Sequence, residues 1–144
     1  MAAEPARIVF RLMSDSRLTA GVEGAVAFVA DLMGFPSGEG ASLAAAVGEA
    51  SRETFPLLTD PHGMVGVTLE QFLDRIEVVV EHEGQALPTA GLDTFAFPGA
   101  AESGARGLSG LGLLNCVDRV QYDTKGGVSR MRLIKYLSSS ASSK

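Results

Sequence analysis

Between the alternating segment "RIVFRLM" and the strand-like run "GMVGVTLE" the chain carries two consecutive helical patterns and no strand. A doubly wound fold needs strand and helix to alternate regularly, so this block argues against one. The first pattern runs from Leu18 through Val22, Ala25, Val29, Leu32 and Met33 at three- and four-residue spacing, which predicts one buried helix face; "GFPSGEG" then stops it. The second begins after Ser37 and runs through Leu43, Ala46, Val47 and Ala50 toward Phe55, where Pro56 cannot donate the backbone hydrogen bond that would continue it. Two strand-like runs follow, "GMVGVTLE" and "DRIEVVVEHEG", the second with Ile76, Val78 and Val80 on one face and Glu77 and Glu81 on the other. "DRVQYDTK", "GG" and "VSRMRLIKYL" read as a terminal hairpin. This order predicts an α+β two-layer sandwich, a mixed and mostly antiparallel sheet covered on one face by helices.

Between the strand pairs, Gln85 to about Arg106 holds prolines, glycines and many alanines without a sustained period. A loop of this length in a compact domain is usually functional or mobile. "GLSGLGLLNCVDRVQY" then opens a short helix with Leu111 and Leu114 inward, and Asp118 and Arg119 are expected at its turn into the next strand. The 144 residues suit one domain over 1–137, able to bury roughly two-thirds of its unfolded surface, followed by a polar tail at 138–144 expected to be disordered.

A net charge of -5 and a pI near 5.0 argue against broad contact with nucleic acid or an anionic membrane, both of which need basic patches. Protein or small-molecule partners fit better. Cys116 is the only cysteine, so no intrachain disulfide forms and a reducing cytoplasm is the expected location. The start "MAAEPARIVF" has no basic region leading into a long apolar run, and no secretion signal or membrane span is expected. His62, His82 and Cys116 have no metal-ligand spacing, and no zinc site is expected.

Four stretches, "AAAVGEASRE", "RIEVVVEHEGQA", "RGLSGLGLLNCVDRVQY" and "GGVSRMRLIKYL", give the chain a family likeness over about residues 6 to 137. It resembles the ATP-binding domain shared by histidine kinases, gyrase-type topoisomerases and heat-shock chaperones, and within that group the anti-sigma-factor serine kinases of bacterial partner-switching systems. The third stretch carries the strongest match. In the family a glutamate and, four residues on, an asparagine lie one turn apart on one helix face. The resemblance makes Glu49 the catalytic residue that orients or deprotonates the attacking hydroxyl or water. It places Glu53 at the Mg²⁺ ligand, where the family has asparagine. A carboxylate is a hard donor that Mg²⁺ accepts, but its charge sits beside a triphosphate and repels the neighbouring Glu49, so impaired Mg·ATP binding is expected. Read without the family, both are a solvated helix face.

The family's base-contact box, Asp-x-Gly-x-Gly, corresponds to His82, Glu83, Gly84, Gln85 and Ala86. Its aspartate accepts from the adenine amino group; here His82 stands in its place and Gly84 alone keeps a glycine, and read without the family His82 is an ordinary polar residue at a strand end. Gly107, Gly110 and Gly112 match the loop and helix start whose N–H groups meet phosphate oxygens. Ser129 is the nearest candidate for a hydroxyl directed at the phosphates, and Arg106 is the only basic residue the lid offers. The resemblance thus implies ATP and Mg²⁺ as cofactors if the protein is active, and none if it is not. Three functions compete. One is a regulator that binds a sigma factor or an anti-sigma antagonist with little catalysis. Another is an active serine kinase acting on a small partner protein, and the third is an ATP-dependent switch without transfer. Family members commonly dimerise, so a homodimer is also implied.

Overall fold

The computed structural model describes residues 6–60, 62–84 and 116–137. In chain order the elements are β1 (Ala6–Met13), a 3₁₀ turn (Ser16–Leu18), α1 (Thr19–Met33), α2 (Ser37–Thr54), a second 3₁₀ turn (Phe55–Leu57), β2 (Met64–Gln71), β3 (Arg75–Glu83), β4 (Arg119–Lys125) and β5 (Val128–Tyr136). The strands form one sheet in the order β1-β2-β3-β5-β4, and every neighbouring pair is antiparallel. The α+β class and the helix layer agree with the sequence reading; the described sheet is antiparallel throughout rather than mixed. The loop expected at 85–106, the helix carrying Leu111 and Leu114, and the tail at 138–144 lie outside the described residues. No described helix is long and apolar enough to cross a membrane.

Strand alternation explains the core. Val65, Val67 and Leu69 of β2, Ile76, Val78 and Val80 of β3, and Met131 and Leu133 of β5 turn one face toward the helices and are buried there. α1 and α2 answer with Val22, Val26, Val29, Leu43, Ala46 and Val47. The helices approach closely through Gly40, Ala44 and Gly48, spaced one turn apart: a Cβ at Gly40 would lie 3.1 Å from that of Ala30, and one at Gly48 would overlap Glu23. Gly126 (φ 62°) and Gly127 (φ 81°) supply the two left-handed residues that a tight β4–β5 hairpin requires.

Two expectations need correction. α1 buries Thr19, Val22, Val26, Val29 and Ala30, whereas Ala25 and Met33 are half-buried and Leu32 is 65% exposed. Apolar residues occur all round this helix, so their spacing does not pick out the side that faces the sheet. Phe28, 63% exposed, lies with Leu32 on the uncovered side, as do Gly21 and Gly24, around which an added Cβ would meet nothing within 4 Å. Each of these mid-helix glycines costs about 1 kcal/mol relative to alanine with no packing return inside the chain. The outer face of the sheet is also less open than its alternation implies. Glu77 is buried and accepts from Arg75 and Arg132, while Arg7 and Arg132 flank Glu70. The stems of these long side chains shield Val79 and Ile134, both buried with no second layer over them among the described residues.

Before α1, Asp15 caps the 3₁₀ turn and holds Arg17 at 2.6 Å. Hydrogen bonds from the Arg17 side chain, then from its backbone N–H, draw the Asp15 carboxyl from 3.8 down to about 2. A carboxyl depressed by folding stabilises the native state above its unfolded pKa, and that contribution is lost as pH falls from about 4 to about 2. Chemical denaturation across this range is expected to show a shallower loss of stability in Asp15→Asn than in the parent. Equal slopes would show that the pair contributes nothing, as many exposed ion pairs do.

Candidate functional site

α2 ends beside the end of β3. After Thr54 the chain turns through Phe55–Leu57, and Leu58 forms an isolated bridge to Gly84. The Thr59 N–H donates to the Glu83 carbonyl and the Gly84 N–H to that of Gly127, each at 3.2 Å. The end of α2, the end of β3 and the β4–β5 turn are therefore joined at one corner of the domain. Of the sequence candidates, Glu53, His82, Gly84 and Ser129 belong to this corner; Gly107, Gly110 and Gly112, with Arg106, lie outside the described residues.

His82 and Ser129 are directly opposite each other on β3 and β5, and both side chains turn toward the helix layer. Each is only 4% exposed. Ser129 also faces Thr124 of β4, their hydroxyl oxygens 3.4 Å apart. Two residues back on the same face of β4 is Tyr122, packed against the core. Burial pushes the Tyr122 phenol well above its ordinary value, and the charge of Glu53 adds to the shift. The phenol is thus held neutral, within the field of the Glu53 carboxylate.

Glu49, one turn before Glu53, points elsewhere. Its carboxylate accepts from Arg52 at 3.0 Å, and the same guanidinium reaches Glu23 at 3.1 Å and Thr19 at 2.9 Å. Hydrogen bonding to Glu49 first, and to Glu23 after it, outweighs the partial burial of Arg52 and raises its pKa. Arg52 thereby relieves the repulsion between Glu49 and Glu53 that their spacing implies. The i,i+3 spacing of Glu49 and Arg52 was a signal for this pair. For Tyr122 no sequence signal existed, because alternation gives its face but not the helix above it.

Gly84 has a structural reason of its own. Its φ is +148°, and a Cβ there would lie 2.2 Å from the Leu57 carbonyl oxygen and 2.9 Å from the Thr59 nitrogen. The space that a glycine opens is filled here by the chain's own backbone. His82, buried, and Glu53 belong to the same corner. A concavity of about 500 Å³ does open at this end of the sheet, lined in part by Arg11, Asp60, Gly66, Thr68, Glu81 and Glu83. Its residues on β1, β2 and β3 mostly alternate with the buried ones, so it opens mainly on the face of the sheet away from the helices, with three carboxylates and one arginine in its lining. Among the described residues no group of three His, Cys, Asp or Glu side chains could hold a metal ion.

No protein-family model matches the sequence, and no curated protein matches it.

Proposed function

We propose that this protein is a regulatory module on the histidine-kinase-like ATPase scaffold, related to anti-sigma-factor serine kinases, that acts by binding a protein partner and has lost effective ATP binding. Under this reading the partner is a sigma factor or an anti-sigma antagonist, met in the cytoplasm. The observation that carries it is the packed corner: Gly84 is closed by Leu57 and Thr59, His82 and Ser129 are buried, and Glu53 keeps a negative charge at the metal position. The element order of strand, two helices, two strands and a closing hairpin supports the scaffold part of the reading.

Calorimetric titration with ATP and Mg²⁺ tests it. No binding is expected up to millimolar nucleotide, with a stable complex forming with a sigma factor or an anti-sigma antagonist in size-exclusion chromatography without nucleotide. Micromolar binding would overturn it in favour of an active serine kinase, with Glu49 as base and Glu53 on Mg²⁺. A variant combining Glu53→Asn and His82→Asp restores both family contacts. A missing partner for a buried polar group costs about 1–3 kcal/mol, so a gain of roughly tenfold or more in Mg·ATP affinity is expected. No gain would assign the loss to closure at Gly84.

A further inference from the structure

We propose that the free edge of β1 is a strand-addition site, where an extended segment of a protein partner pairs its backbone with Ala6–Met13 and turns alternate side chains toward the flank of α1. Among the described residues β1 is an edge strand, paired on one side only, with β2. Its ladder to β2 runs through 8 consecutive residues without a bulge, and none of them is proline. Along its other side the main-chain N–H and C=O groups of alternate residues meet no strand. Ala6, Arg7, Ile8, Val9, Arg11 and Met13 are exposed. Such an edge specifies its own occupant, because another extended backbone is what answers a row of alternating donors and acceptors.

The side chains around the edge say what that segment carries. α1 touches β2, whereas α2 touches both β2 and β3, so α1 stands toward β1 and α2 toward β3. Glu23 and Ala30 meet α2; Phe28 and Leu32 lie half a turn round the helix from them, on the flank above the free edge. Ile8, 40% exposed, points to the same face of the sheet. Apart from Leu73 and Tyr136, the large apolar side chains left exposed among the described residues are on β1, on α1 with the turn before it, and at Met64 opposite Met13. An added strand therefore turns apolar residues to this flank. On the other face Arg7 is held by Glu70, but Arg11 stands opposite Gly66 and makes no ion pair among the described residues. A carboxylate on the added strand completes it. Glu81, on β3 and paired with Arg130, would be three strand spacings from that carboxylate, about 14 Å, beyond the screening length of about 8 Å in physiological salt.

The same charges disfavour a second copy in this place. Adding its own β1 antiparallel with the helices on the same side, a copy centres on Val9 or on Phe10. The first register sets Arg7 opposite the copy's Arg11, and the second sets Arg11 diagonal to both arginines of the copy. The inference takes from the proposed function only that a protein partner exists, and it holds whether or not ATP binds.

The probe is an acetylated peptide, Thr-Val-Glu-Val-Glu-Val-Glu-Val-Thr, with a twin carrying lysine for glutamate. Neither a sigma factor nor an antagonist is present, so failure here leaves the proposed function standing, and failure there leaves the edge site standing. Fluorescence anisotropy with the full chain is expected to show dissociation at about 10–100 μM, the weak end for so small an interface, with the lysine twin about fivefold weaker or more. Amide hydrogen exchange should slow in β1 and not in β4, the other edge. Arg11→Glu should reverse the preference between the two peptides, and Phe28→Glu should weaken the acidic one about tenfold. Both positions are exposed, so far-UV circular dichroism and the urea midpoint should stay where they are. No binding at millimolar peptide, protection at β4 instead of β1, an affinity indifferent to both substitutions, or a β1 already protected by self-association of the chain would overturn the proposal.

Discussion

Gly84→Ala is expected to destabilise the protein by about 3 kcal/mol in the absence of any nucleotide, because alanine at a positive φ carries strain and its methyl group has nowhere to go. The nearest obstacles, the Leu57 carbonyl oxygen at 2.2 Å and the Thr59 nitrogen at 2.9 Å, are backbone atoms held by the Leu58–Gly84 bridge and the Thr59–Glu83 hydrogen bond. Relieving the clash means lifting the segment after α2 away from β3. Urea denaturation of the nucleotide-free protein gives the answer directly. A lowered midpoint with unchanged slope assigns the glycine to packing. Unchanged stability would mean that the contact yields easily, and Gly84 would then regain its place as a glycine kept for a ligand.

Leu133→Ala should cost still more of the native stability. Leu133 is fully buried on β5, facing the helices between Val78 of β3 and Val120 of β4. It sits where three strands and the helix layer meet, so the surroundings cannot collapse far into the space it leaves. Truncation of such a leucine removes its transfer free energy and leaves a cavity, together about 2–5 kcal/mol. Against a total of about 5–15 kcal/mol for a domain, that is a large fraction. Leu73→Ala is the control: Leu73 is 97% exposed in the turn between β2 and β3, and its loss is expected to change stability by less than about 0.5 kcal/mol. Similar midpoints for the two variants would refute the assignment of the core to the β3–β5–β4 half of the sheet.

The local elements were legible in the sequence. The alternation in "RIEVVVEHEG" set Ile76, Val78 and Val80 to one face, and Pro56 ended α2 because it has no N–H to donate. Gly126 and Gly127 marked the hairpin because few other residues adopt a positive φ at both turn positions. The buried side of α1 was not legible in the same way. Its apolar residues surround the helix, so periodicity predicts a helix without saying which side meets the sheet, and Leu32, in phase with Val22 and Val29 by spacing, is exposed.

The candidate site divides along the same line. Spacing on α2 identifies Glu49 and Glu53 as neighbours, yet only the packed molecule gives them different company, Glu49 paired with Arg52 and Glu53 close enough for its charge to act on Tyr122. His82 and Ser129 stand 47 positions apart in the chain and become cross-strand partners through the β3–β5 pairing, which strand alternation cannot specify. The sequence by itself determined what each segment becomes and which side chains share a strand face, because those follow from backbone geometry over a few residues. Tertiary structure alone decided the strand order, the covered side of α1 and the closing of Gly84 by Leu57 and Thr59. Those depend on contacts between segments far apart in the chain, whose energies no local pattern contains.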